Sequence, residues 1–112
     1  MRYVLLFTVL LAISGRAAAF TGNELFETLK QSPRDFALGY IEGVVDAAAT
    51  PTVANQTKGS IRGWTFCIPT AVTRRQSADV VLKWLEVHPE VRHNLANGLV
   101  GGALQESFPC NR

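Results

Sequence analysis

The sequence predicts an all-α fold: a compact bundle of about four helices closed by one disulfide. Three observations carry that expectation. Apolar residues recur at spacings of three and four along four separate stretches, most of these stretches open on a capping or proline start signal, and no alternation long enough for a sheet appears. The two cysteines of the chain, Cys67 and Cys110, bracket the last two stretches, so that pairing them would close both into one covalent hairpin.

The first 19 residues stand apart from that fold. Arg2 gives a positive start, Val4 to Ile13 is an apolar run broken only by one Thr, and Ala17-Ala18-Ala19 is a small-residue cleavage site before Phe20. The run is too short for a membrane span, which needs about 20 residues. Residues 1–19 therefore read as an export signal and 20–112 as a single helical domain, with no membrane anchor once the signal is cleaved. Of the eleven Lys and Arg, Arg2 and Arg16 lie in the signal, which leaves nine against nine Asp and Glu. A neutral mature chain gives no electrostatic case for nucleic acid or an anionic membrane.

Thr21-Gly22-Asn23-Glu24 has the pattern of a capping box, and a first helix follows with Leu25, Phe26 and Leu29 on its buried stripe, ending near Gln31. Ser32-Pro33 reads as a second start, with Ser as the cap and Pro at the first helical position. That helix runs to about Ala49 on Ala37, Tyr40, Ile41, Val44 and Ala48. Gly39 and Gly43 inside it each cost about 1 kcal/mol relative to Ala, so close approach of another helix is expected along their line. Thr50 to Thr65, rich in Gly, Asn, Thr and Lys, reads as a long surface loop, and Trp64, Phe66 and Ile68 alternate as an extended segment laid on the core.

Thr73-Arg74-Arg75-Gln76 is a further capping box, opening a third helix to about Val87 with Ser77, Val80, Val81, Trp84 and Leu85 on one face. Arg75 and Asp79 stand four apart as a local ion pair. His88-Pro89-Glu90 ends this helix and starts a fourth, built on Val91, Leu95, Leu99 and Ala103 and ending at Phe108-Pro109.

Little in this pattern supports catalysis. His88 and His93 fall about 140° apart on an ideal helix, which does not suit a shared metal. Glu42 and Asp46 share a helix face but lack an accompanying nucleophile or base motif. The Gly-x-Ser-x-Gly, Walker and dinucleotide fingerprints are all absent, so neither a cofactor nor an enzyme is expected. In an exported chain Cys67 and Cys110 suit a disulfide closing about 44 residues, worth about 4 kcal/mol in the chain-entropy model. The competing reading is two free thiols acting as a nucleophile or as metal ligands.

Several blocks taken together resemble the Rap/Tai family of type VI secretion immunity proteins: Phe20-Thr21-Gly22-Asn23-Glu24-Leu25, Gly39-Tyr40-Ile41-Glu42-Gly43-Val44-Val45-Asp46, Phe66-Cys67-Ile68-Pro69, His88-Pro89-Glu90-Val91-Arg92-His93, and Ala103-Leu104 with Phe108-Pro109-Cys110. The resemblance covers the whole mature chain in order. It implies a periplasmic, homodimeric, helical protein that binds a peptidoglycan amidase effector and blocks its substrate groove. Gly39, Tyr40, Gly43, Asp46, Pro69 and Pro109 are the motif positions, and they look architectural. The expected contact region is the exposed loop, through Asn55, Gln56, Lys58, Arg62 and Trp64. The alternative is a small periplasmic stress or holdase chaperone resembling the Hde-type acid-stress proteins, also helical, exported and closed by one disulfide.

Overall fold

A computed structural model of the chain describes residues 19–51 and 55–110. The expected export signal, residues 1–19, lies outside them except for Ala19. The order of elements is α1 (Gly22–Lys30), α2 (Asp35–Ala48), β1 (Gln56–Ile61), β2 (Trp64–Pro69), α3 (Arg74–Val87) and α4 (Ala96–Ser107), with a single 3-10 turn at Pro89–Val91. The chain is thus not all-α: a two-stranded antiparallel sheet stands where the sequence suggested a long loop.

That sheet is a hairpin in which Gln56 faces Pro69 and Ile61 faces Trp64. Its loop is Arg62-Gly63, with φ of 48° and 86°. Two residues at positive φ form the tight turn whose twist matches that of the flanking strands. β1 carries no strand signal of its own, because its sequence is mostly polar and its one buried residue is Gly59. Gly59 faces Phe66 across the ladder, and a Cβ there would stand 2.5 Å from Phe66 Cζ. The apolar surface of this strand pair is therefore supplied by the neighbour's ring, which leaves no trace in β1's own hydropathy.

Both hairpin edges are covered. On the β1 side the Thr50 N–H donates to Lys58 O at 2.8 Å, beside a bridge between Ala49 and Gly59. On the β2 side the Cys67 N–H donates to Phe108 O at 2.8 Å and the Thr65 N–H to Gln105 Oε1 at 2.8 Å. Phe66 also bridges Pro109, and there the Cys67–Cys110 disulfide joins β2 to the segment that follows α4. The covalent loop does enclose α3 and α4, but it starts from a strand.

α4 is the central element. Seven of its twelve residues, from Ala96 to Leu104, are buried, against α1, α3 and the hairpin. It begins at Ala96 rather than at Pro89 because the intervening carbonyls are used elsewhere. The Asn23 N–H donates to Arg92 O at 2.7 Å and the Gly22 N–H to Asn94 O at 2.9 Å, while the Ala96 N–H donates to Phe20 O at 2.9 Å. Donors at the start of α1, which no helix can satisfy internally, thus take the acceptors that a continuous fourth helix would need.

The capping box forms in full at α3 and in half at α1, where the Glu24 carboxylate accepts from the Thr21 hydroxyl rather than from its backbone N–H. Thr21 Oγ1 accepts from the Glu24 N–H at 3.4 Å, and at α3 both halves of the box form, Gln76 N–H to Thr73 Oγ1 at 3.1 Å and Thr73 N–H to Gln76 Oε1 at 2.7 Å. At α2 the reading fails. Helical geometry starts at Asp35, and the flanking residue Arg34 makes no side-chain cap bond.

Gly39 and Gly43 are also corrected, since both are exposed and a Cβ at either would meet nothing within 4 Å. The close approaches occur instead at Gly22, against Leu99 and the Arg92 backbone, and at Gly59, Gly101 and Gly102, under the side chains of Phe66, Ile61 and Trp64. Gly39→Ala and Gly43→Ala should each therefore raise stability by about 1 kcal/mol, the ordinary gain of Ala over Gly in an exposed helix. Urea unfolding checks this, and a loss of stability in either variant would place that face in a packed contact.

Candidate functional site

The chain places the residues that could do chemistry apart from one another. Among the described residues no three of His, Cys, Asp and Glu come together as a metal site. Glu42 pairs with Arg74 at 2.9 Å, across two helices, while Asp46 is exposed. Asp79 does not pair with Arg75: Arg34 from the α1–α2 connection reaches it at 2.7 Å. These are ion pairs on the surface, where the gain is at most about 1 kcal/mol.

The five contact residues expected from sequence do not form one patch. Asn55, at φ 80°, and Gln56 lie at the base of the hairpin, where Asn55 O accepts from the Thr70 N–H at 3.0 Å. Lys58 is exposed midway along β1, and Arg62 and Trp64 stand at the tip. A six-residue strand rises about 20 Å, so base and tip belong to different surfaces.

Each end borders a groove. At the base a cavity of about 240 Å³ opens between α2, the hairpin and the start of α3, with Ile41, Val45, Ile68 and Val72 in its walls and the Glu42–Arg74 pair at its rim. At the tip a larger groove of about 480 Å³ runs between Arg62 and Trp64 on one side and Trp84, His88, Val91 and Leu95 on the other.

The tip groove has fixed walls. Gly101 and Gly102 let the Trp64 indole lie against α4: a Cβ on Gly101 would stand 3.1 Å from Trp64 Cβ, and one on Gly102 3.4 Å from Trp64 Cε2. Trp64 nevertheless remains 41% exposed. Trp84 Nε1–H donates to Glu106 Oε2 at 2.7 Å. The Trp84 ring stacks on His88, with centroids 4.1 Å apart and planes 19° from parallel. His88 Nδ1 lies 2.7 Å from Trp84 O, and because a carbonyl only accepts, this nitrogen carries the hydrogen and donates. His88 is also the residue that ends α3, as its place before Pro89 suggested.

Arg62 is held on the opposite side, its Nε donating to Asn97 Oδ1 at 2.7 Å. Its charge is felt by Tyr40, whose phenol is pushed above its ordinary range by burial and partly drawn back by the guanidinium. Sequence reading found Arg62 and Trp64 but not their partners. The four-residue step from Trp84 to His88 on one helix face was the available signal.

A family model described as Rap1a immunity proteins matches residues 21–110. No curated protein and no solved structure matches the chain. The matched span takes in every helix and strand described above, together with both cysteines.

Proposed function

This chain belongs to the Rap1a immunity proteins, and from that premise we propose that it protects its cell in the periplasm by binding a type VI secretion peptidoglycan amidase and occluding the enzyme's substrate groove. The family match across α1 to α4 is the observation that carries the proposal. An inhibitor of this kind needs a surface fixed before the encounter, because ordering loops and side chains on binding subtracts from affinity. A hairpin covered on both edges and tied by a disulfide to the segment that follows the buried helix α4 meets that need. The contact region assigned is the hairpin, from Asn55 to Trp64. Export through residues 1–19, a single domain over 20–112 and self-association as a homodimer are parts of the same proposal.

The test is inhibition. Purified mature chain, oxidised, is titrated into the amidase encoded beside its gene, with purified sacculi as substrate. Stoichiometric loss of hydrolysis is expected. Full hydrolysis at a tenfold excess of the chain would overturn the proposal, and sedimentation of the same preparation reads the homodimer.

A further inference from the structure

We propose that the effector segment recognised by this chain carries an acidic side chain beside an apolar one, the first pairing with Arg62 and the second entering the groove between Trp64 and the Trp84–His88 stack. The inference rests on the immunity reading above and narrows it to one end of the hairpin and one kind of partner chemistry.

Arg62 is the leading observation. It is the first residue of a two-residue turn in which both φ angles are positive, a place where Asn, Asp or Gly is the ordinary choice and a long L side chain is disfavoured. The fold gains no charge pairing from this choice. Among the described residues Arg62 forms no ion pair, and its side-chain hydrogen bond is to the neutral amide of Asn97. A cation that breaks a local turn rule while its charge finds no partner inside the fold points to a function outside it.

The Asn97 bond also decides what the guanidinium can receive. It takes up Nε and fixes the plane of the group, leaving the two terminal nitrogens as a fork for a carboxylate. Asn94 and Gly98 are the polar or small members of the groove wall, and among the described residues no carboxylate lines it, so none of them compensates the positive charge at its mouth.

Beside this fork the groove walls are aromatic and already ordered. Trp64 is seated on two glycines, Trp84 is tied to Glu106, and His88 is tied to the Trp84 carbonyl. Held aromatic rings next to an arginine are the composition of binding hot spots, because little side-chain freedom is left to lose when they are covered. The volume of about 480 Å³ admits a large apolar side chain, and Val91, Leu95 and Leu99 line the groove to receive it.

The turn itself supplies a separation-of-function variant. Arg62→Asn places Asn before Gly63, the residue pair this turn favours, so folding should be unaffected or improved. Calorimetric titration of the amidase encoded beside the gene with wild type, Arg62→Asn and Arg62→Glu, with thermal melts alongside, tests the inference. We expect an unchanged or raised Tm for Arg62→Asn with at least tenfold weaker binding, a greater loss for Arg62→Glu, and a wild-type affinity that falls as salt is added. Reversing the effector's surface carboxylates one at a time to Lys should reveal one variant that binds Arg62→Glu better than it binds wild type. Wild-type affinity in both Arg62 variants would overturn the inference while leaving the immunity reading intact. So would a loss of self-association with effector binding unchanged, which would give the groove to a second copy. Failure of the wild-type chain to bind the amidase would instead sink the immunity reading itself.

Discussion

Phe66→Ala should lower the free energy of unfolding by about 3–5 kcal/mol, the range for deleting a buried aromatic ring. Phe66 is fully buried, and it joins three parts of the fold: it faces Gly59 across the hairpin, bridges Pro109 beyond α4, and sits next to the disulfide. Domains of this size are stable by only about 5–15 kcal/mol, so the variant should be close to unfolding at growth temperature. The partner test is Gly59→Ala. A methyl there would stand 2.5 Å and 2.7 Å from two ring atoms and 3.3 Å from Ala48 Cβ, and a ring with no exposure has nowhere to swing. Removing the ring opens that space, so the double variant should lose less than the two single losses added together. Urea unfolding of the four proteins measures this coupling. Additive losses, or a Phe66→Ala loss below about 1 kcal/mol, would contradict the packing described.

The parts of this fold legible in the sequence are those whose causes lie within one turn of chain. Thr21 with Glu24 and Thr73 with Gln76 announced α1 and α3 because a cap is a contact between residues three apart. The apolar spacing of Ala37, Ile41 and Val44 placed α2, although its start was misread by two residues. What failed depended on distant partners. β1 takes its apolar cover from Phe66, the start of α4 is set by donors in α1, and the glycines that matter for packing are recognised only by what lies above them. Gly39 and Gly43 had the more suggestive spacing, yet they face outward.

The candidate site divides in the same way. Arg62 and Trp64 were visible as a cation and an aromatic in a polar, glycine-containing stretch, and the tip groove does use both. Asn55 and Gln56, expected with them as parts of one exposed stretch, lie at the other end of the hairpin. A hairpin carries its two ends to different surfaces, so the ten-residue run from Asn55 to Trp64 cannot be treated as one patch. Trp84 and His88 enter from a helix whose sequence reads as ordinary amphipathic core, and only the docking of the hairpin on α4 brings them opposite Trp64.

Loss of the disulfide should have an effect of the same order as loss of the Phe66 ring, by a different route. Cys67 and Cys110 are 43 positions apart, and closing a loop of that length removes about 4 kcal/mol of entropy from the unfolded chain in the chain-entropy model. For a domain of this length that corresponds to a fall in Tm of roughly 15–30 °C in Cys67→Ser, Cys110→Ser, or the reduced wild type. The end of the chain should loosen first. Past α4 it is held by the Phe66–Pro109 bridge, the Cys67 N–H to Phe108 O bond and the disulfide itself, all within a few residues of one another. Hydrogen exchange at the Cys67 backbone amide, followed in the reduced wild type and in Cys110→Ser, should therefore accelerate before exchange in α1 does. The tip groove gives a second readout. Arg62 and Trp64 lie on the same hairpin as Cys67, so effector affinity should fall as the folded fraction falls, and at temperatures well below the new midpoint it should approach the oxidised value. A midpoint unmoved by reduction would show that the bond adds nothing to a hairpin already held by its backbone contacts, and the stability assigned to it here would be wrong.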